Sequence, residues 1–436
     1  MIATLMWATP GGAGEPLTWQ NCLDLATLHN PSLAAARAKT EAAEAGIDIA
    51  RSALRPQVSA GASANQGSRA SAGSGGLSNS SDVSGNAGGG DGASYSASAT
   101  VEQSLYSGGK NKAEVRTAQA TLALTGANTM NTKAQLTHDL RAAYINLLYA
   151  QEQVQLLQTI ARRRQDNLEL VDLRYEGGRE HKGSRALSEA SLFDAQVQLK
   201  QAERLVSVNS RLLSRTIGLT DTVSNLVVTG TLDTAEPPIL TDLNRLVQNT
   251  PSYRASVATI RVAEAQVDSA RGAQRPDLSL TGSAGRTGGE AANDDNEWSV
   301  GLKLTVPIWD GGKTIHTIRK AKAALTEAEA NLADTLNTLT RNLAESYQAL
   351  ANAEESVAVQ SKYVEAADLR AGIARQQYED GLLTFENWSL IEDDLISKRK
   401  QFVDARKNAM TAEAAWWLAT GRELIASTSD EVKGEK

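Results

Sequence analysis

From Leu136 to Tyr175 apolar residues recur at steps that alternate mostly between three and four: Leu136, Leu140, Ala143, Leu147, Ala150, Val154, Leu157, Ala161, then Leu168, Val171 and Tyr175. That is the heptad seam of a helix packed lengthwise against other helices. No proline interrupts the chain from Lys110 to Tyr175, so one helix of about 65 residues and on the order of 100 Å is expected. A second, more polar row, Tyr144, Leu148, Gln151 and Gln155, runs beside the seam, as for a flank facing a wet lumen. Before the helix the period changes to two. Tyr95 to Leu105 alternates as a strand does, and Tyr106-Ser107-Gly108-Gly109-Lys110 reads as a strand-to-helix turn.

The same pattern returns 203 positions later. Tyr95 becomes Trp298, Tyr106-Ser107-Gly108-Gly109-Lys110 becomes Trp309-Asp310-Gly311-Gly312-Lys313, and Tyr175-Glu176-Gly177-Gly178 becomes Tyr378-Glu379-Asp380-Gly381. The chain before it repeats at an offset of 220: Asn30-Pro31-Ser32 with Thr250-Pro251-Ser252, Arg55-Pro56 with Arg275-Pro276. The 17-residue difference falls in a Gly/Ser-rich loop near 66–92 of the first copy. Duplication of one unit follows. The first repeat covers 17–218: a helix, a hairpin near 56–106, a long helix 110–175 and a helix 184–217. A linker spans 219–250. The second repeat covers 251–421: a helix, a hairpin near 276–309, a long helix 313–378 and a helix 383–420. The tail 422–436 is polar and is expected to fray.

In each repeat a helix before the hairpin and one after the Gly turn together nearly match the long helix, so they are expected to stack end to end beside it. The return strand of the second copy carries Val300, Leu302, Leu304, Val306 and Ile308 on one face and Gly301, Lys303 and Thr305 on the other. Tyr95 and Tyr106, and Trp298 and Trp309, bracket the two return strands as interface aromatics of membrane strands do. An acidic loop (Glu290, Asp294, Asp295, Glu297) is expected to join the second hairpin. Four strands close no barrel, and open edges are not tolerated in lipid. Three copies supply 12 strands and a 12-helix tube.

Composition adds limits. Of 436 residues, 22% are charged and 41% apolar, outside the disordered range. The net charge of −7 argues against nucleic acid as a partner. Cys22, the single cysteine, permits no internal disulfide. No apolar run is long enough for a membrane helix. Ile2 to Ala8 is a short apolar piece with no Lys or Arg before Arg37, so it lacks the basic start of a secretory signal.

Taken together, these residues resemble the TolC family of outer-membrane efflux and secretion channels. The resemblance rests on Asn30-Pro31-Ser32, Arg55-Pro56, the Tyr106 and Trp309 turns, and the Tyr-x-x-Gly ends at 175–178 and 378–381, in duplicated order over 17–421. It implies a mainly α protomer with a pair of β-hairpins. Three protomers form a trimeric 12-helix α-barrel and a 12-stranded transmembrane β-barrel. It implies a homotrimer in outer-membrane lipid with its helical part in the periplasm. It further implies a periplasmic adaptor protein and an inner-membrane pump, and a gate at the periplasmic helical end. The exit duct would serve a tripartite efflux or type I secretion system. Gate and adaptor-tip candidates are Tyr175, Gly177, Gly178, Tyr378, Gly381, Glu386, Asn387 and Leu390. The acidic ring that family members often carry has Asn387 and Leu390 at its positions here, with Glu386 nearby. The alternative reading is a soluble or periplasmic coiled-coil scaffold whose hairpins pair with another protein.

No catalytic, cofactor or metal pattern emerges, and no enzyme is expected. Gly312-Lys313-Thr314 lacks the earlier glycine of a phosphate-binding loop, with Pro307 in its place. His29, His138, His181 and His316 show no metal spacing. The runs Glu392-Asp393-Asp394 and Arg162-Arg163-Arg164 are both read as solvated helix faces.

Overall fold

A computed structural model describes residues 16–67, 92–219, 226–234, 242–289 and 292–422. The Gly/Ser loop, linker residues 220–225 and 235–241, Glu290 and the tail after Arg422 therefore lie outside the described residues. The elements in order are α1 (Trp19–His29), α2 (Pro31–Ser52), β1 (Gln57–Gly67), β2 (Gly92–Ser107), α3 (Lys110–Glu176), α4 (Lys182–Ile217), α5 (Leu243–Asn249), α6 (Pro251–Gly272), β3 (Asp277–Gly289), β4 (Ala292–Thr305), α7 (Lys313–Glu379) and α8 (Phe385–Ala419). Helices α3 and α7 each have 67 residues. They begin and end at positions 203 apart.

The chain divides into two compact units. One comprises Met1–Lys39, Gly126–Ala255 and Ala333–Lys436; the other comprises Thr40–Thr125 and Ser256–Leu332.

In the first unit the heptad seam of α3 is the spine. Leu136, Leu140, Ala143, Leu147, Ala150, Leu157 and Val171 are buried. Leu140 and Leu147 pack in one cluster with Cys22, Leu23, Leu213 and Ile217. A second cluster joins Leu343, Leu350, Val247 and Trp416. Burial of such side chains stabilises by about 1.5–3 kcal/mol each. The beside-seam row behaves differently from the lumen-facing expectation. Tyr144 and Leu148 are buried in the first cluster. The Tyr144 hydroxyl donates to the Thr229 carbonyl, and its ring meets Trp19 edge-on at 5.6 Å. Gln151 donates to and accepts from the Val228 backbone (3.0 and 3.1 Å). The row is polar because it holds a connecting segment whose backbone needs partners. Arg141 lies between Trp19 (5.0 Å) and Trp417 (5.1 Å), paired with Glu413 at 3.5 Å.

The second unit is organised by one antiparallel sheet in the order β1-β2-β3-β4. Its two edges are β1 and β4. One face carries Val58, Val101, Leu280, Val300, Leu302 and Leu304, all exposed. The opposite face is lined by small hydroxyls, with Ser63 bonded to Ser96 and Ser283 to Ser299 at 2.8 Å each. Two boundaries differ from expectation. Strand β4 starts at Ala292, so Asp294, Asp295 and Glu297 sit in the strand rather than in a loop. It stops at Thr305, because Pro307 has no N–H to extend the ladder. Val306, Ile308 and Trp309 therefore lie beyond the last rung.

The aromatic pairs needed a further device. Tyr95 and Tyr106 are eleven residues apart, which puts them on opposite faces of a regular strand. The register shifts between Ser104 and Tyr106, so Tyr106 stands opposite Leu278. That bulge returns Tyr106 to the apolar face that Tyr95 shares. The Arg275-Pro276 motif also acquires a local role: Arg275 Nη1 donates to the Gly108 carbonyl at 3.1 Å.

Candidate functional site: two helix turns and a two-faced sheet

Both Tyr-x-x-Gly turns end a long helix by the same backbone route. Gly178 has φ 68° and Gly381 φ 78°, the left-handed region where a Cβ is costly. Gly178 N–H donates to the Tyr175 carbonyl at 3.0 Å and Arg179 N–H to Arg174 at 2.8 Å. Gly381 N–H donates to Tyr378 at 3.1 Å and Leu382 N–H to Gln377 at 2.8 Å. These bonds satisfy the last helical carbonyls. Gly177 is exposed and adopts no positive φ.

The side chains diverge. Tyr378 is fully buried, stacked on Trp388 at 4.3 Å and 6°, with Val171 and Ala374 in the same cluster. Its hydroxyl donates to Glu180 Oε2 at 2.9 Å. Glu180 Oε1 accepts from Ser184 Oγ at 2.8 Å and from the His181 N–H at 3.2 Å. Arg174 closes the arrangement. Its Nη1 donates to the carbonyls of Tyr378 (2.6 Å) and Glu379 (3.2 Å), and its guanidinium lies 4.5 Å from the Tyr378 ring centroid. A cation on the last carbonyls of α7 meets the negative end of the helix dipole. Burial works to raise the Glu180 carboxyl, but the Ser184 and Tyr378 hydrogen bonds outweigh it and hold it below its ordinary value. Burial, then the hydrogen bond to Glu180, push the Tyr378 hydroxyl well above its ordinary range.

Tyr175 is only half-buried. Arg185 lies over its ring at 5.7 Å and pairs with Asp172 at 2.6 Å. The remaining candidates, Glu386, Asn387 and Leu390, are exposed on the first turns of α8. The Asn387 N–H is capped by the Thr384 hydroxyl at 3.4 Å. The structure thus brings Tyr378 together with Arg174, Glu180 and Trp388, none of which the sequence reading chose. Arg174 carried a usable signal, a basic residue in the last turn of a helix.

The charge runs are a correction. Glu392 is fully buried. Arg163 grips it with two hydrogen bonds, Nε to Oε2 at 2.6 Å and Nη2 to Oε1 at 2.7 Å. Asn167 Nδ2 adds a third at 3.2 Å. Arg164 pairs with Asp393, and Arg370 with Asp394 at 3.8 Å. Glu392 faces Arg163 across α3 and α8 instead of facing water, while Arg162 and Asp393 stay exposed as a solvated face requires. A bidentate carboxylate with a third donor is the geometry in which a buried pair survives desolvation.

Tyr95, Tyr106 and Trp298 of the sheet, and Trp309 just beyond its last rung, are exposed, at 47%, 49%, 80% and 87%. Tyr95 is in register with Gly288, and Trp298 with Ala284. Among the described residues no helix is long and apolar enough to cross a membrane. Exposed apolar side chains line one face of the sheet.

Known proteins agree with this geometry. The family described as outer membrane efflux protein matches residues 22–219 and 243–422. The chain is 23% identical over 427 residues to the outer membrane efflux protein BepC of Brucella suis, covering 94% of this chain and 87% of that one. It is 23% identical over 282 residues to the alkaline protease secretion protein AprF of Pseudomonas aeruginosa, covering 62% and 58%. The fold superimposes on the open state of the MtrE outer membrane channel of Neisseria gonorrhoeae with a TM-score of 0.79 at 20% identity, covering 94% of this chain and 91% of that one. This family is one of ducts. The chain belongs to the outer membrane efflux protein family and is an exit duct of the bacterial outer membrane, with its helical part in the periplasm.

Proposed function

We propose that three copies of this chain assemble into one conduit. The observation that carries this reading is the sheet: four strands, two unpaired edges and one exposed apolar face. Lipid does not tolerate unpaired edges. Pairing β1 of one copy with β4 of the next satisfies both, and three copies give 12 strands around a hydroxyl-lined interior. The helices then supply the 12-helix tube, with the repeats 17–218 and 251–421 contributing equivalent halves. In this reading Tyr95, Tyr106, Trp298 and Trp309 sit at the two membrane interfaces.

The conduit serves as the exit duct of a tripartite efflux or type I secretion system, fed by a periplasmic adaptor and an inner-membrane pump. The Tyr-x-x-Gly turns form its gate, with Tyr175, Gly177, Gly178, Tyr378 and Gly381 at the turns and Glu386, Asn387 and Leu390 on the adjoining surface. Opening requires α7 and α8 to move at the Tyr378 turn, so the Arg174–Tyr378–Glu180 network is what opening must loosen. Family membership sets aside the soluble scaffold.

The test is planar-bilayer conductance of the detergent-purified protein together with its native mass. A trimer with small, stepwise conductance supports a gated duct. A monomer without conductance contradicts it.

A further inference from the structure

Beside Trp388, helices α3, α4 and α8 line a cavity of about 10 Å³. Two of its lining residues, Asn167 and Trp388, are buried, at 5% and 1% exposure. Each holds one polar atom that no group of the protein bonds: Asn167 Oδ1 and Trp388 Nε1. Buried polar atoms are nearly always satisfied, and one left bare costs stability.

The chemistry of each atom is fixed. An indole nitrogen can only donate. Asn167 turns its amide nitrogen to Glu392 Oε2 at 3.2 Å. A carboxylate only accepts, so the amide cannot be reversed, and Oδ1 is left as an acceptor. A donor from α8 and an acceptor from α3 therefore line one cavity. Stacking on Tyr378 holds the indole and the bond to Glu392 holds the amide, so neither turns away to another partner.

A volume on the order of 10 Å³ is room for one water molecule. Water supplies what both atoms lack, an acceptor for the indole N–H and a donor for the amide oxygen. Ser188, Ser191 and Ser389 line the same space and offer hydroxyls for a third bond, the usual number for a buried water being about three. The lining offers an ion no unmatched charge. Glu392 is gripped by Arg163, and Arg164 pairs with Asp393.

We propose that this cavity is a binding site for a single water molecule, which accepts from Trp388 Nε1–H, donates to Asn167 Oδ1 and so bridges α8 to α3. The bridge joins the Tyr378–Trp388 stack to the Arg163–Glu392 pair. Beside the Tyr378 turn, α3 and α8 then meet through a contact that a small shift can remake. That bearing on the gate rests on the gate reading; the site itself rests only on the fold of one protomer.

The experiment is a crystal structure of the detergent-purified protein, at a resolution that shows ordered water, for wild type, Asn167→Leu and Tyr378→Phe. Wild type should show one peak about 2.7–3.2 Å from both Trp388 Nε1 and Asn167 Oδ1. Asn167→Leu keeps the size and removes the acceptor, so the peak should be lost. Tyr378→Phe keeps the ring on Trp388 and lies outside the cavity lining, so the peak should stay. No peak in wild type, or an unchanged peak in Asn167→Leu, overturns the bridge. Contacts of about 2.0–2.6 Å to oxygen are those of a metal cation and overturn water as the ligand. Should Asn167→Leu not fold, ultraviolet resonance Raman decides, with wild type minus Trp388→Phe isolating this indole. A hydrogen-bonded N–H is expected, and a free one overturns the site. Conductance separates the gate: a bound water, with Tyr378→Ala and wild type conducting alike, sinks the gate reading and leaves the site standing.

Discussion

The two Tyr-x-x-Gly turns share a backbone and differ in almost everything attached to it. Each ends a 67-residue helix at a left-handed glycine. At the second, Tyr378 is sealed under Trp388 and bonded to Glu180. At the first, Tyr175 is half-buried beside an ion pair that is itself half-exposed. At the offset of 203, Arg174 has Gln377 as its counterpart, Glu180 has Leu383, and Trp388 has Arg185. Duplication kept the turn and divided the network. One copy supplies the cation and the carboxylate, the other the aromatics. A gate built this way has a strong element and a weak one, and the strong one spans both copies.

The largest expected breaks are at Glu392 and Trp388. Glu392→Ala leaves the half-buried Arg163 without its partner, a loss of about 3 kcal/mol, the low end of the range for a buried pair. Replacing both residues by apolar ones of similar size should cost much less. Thermal unfolding of the single and double variants checks this, and equal losses for single and double would count against a tightly coupled pair. Trp388→Ala should cost at least as much, about 3–5 kcal/mol for a buried aromatic. The structurally equivalent change on the other side, Arg185→Ala, should fall under about 1 kcal/mol because that pair is half-exposed.

Tyr378→Phe keeps the stacking and removes the bond to a carboxylate, about 1.5–3 kcal/mol. Its partner change, Tyr175→Phe, should be nearly silent by the same assay. Arg174→Gln, which gives the first copy the residue of the second, should raise channel conductance, and Arg174→Lys should restore it only in part, since lysine lacks the fork that reaches two carbonyls.

The smallest effect is a pH dependence. Glu180 has a folded-state pKa below its ordinary 4.5, so its contribution is fully present above that value and is lost as the pH falls through the lowered one. The network should therefore be unchanged near neutrality and loosen only in acid. Glu180→Gln should remove this dependence, as read by conductance between pH 6 and pH 3. A dependence centred near neutral pH would point to another group.

Much of the fold was legible because its signals are periodic. The seam from Leu136 to Val171 is a heptad, and seven of its ten residues are buried, with Val154, Ala161 and Leu168 half-buried. The sheet's two faces follow from period two. What was hidden depends on partners that no local pattern names. Glu392 reads as part of an exposed acidic run until α3 places Arg163 and Asn167 against it. Tyr144 and Gln151 read as a wet flank until the 226–234 segment lies across them. Tyr95 and Tyr106 have the wrong parity for one face, and only the bulge at Leu105 reconciles them. At the candidate gate the sequence located both turns but not the network, because Arg174 of α3, Glu180 of the turn after it and Trp388 of α8 converge from two different repeats.

The central claim is that the Tyr378 turn, and not the Tyr175 turn, holds the closed end. Single-channel conductance in planar bilayers, measured side by side for wild type, Tyr378→Ala and Tyr175→Ala, tests it most directly. The account predicts a clear rise for Tyr378→Ala and a wild-type level for Tyr175→Ala. Equal conductance in the two variants, or a rise confined to Tyr175→Ala, would contradict it.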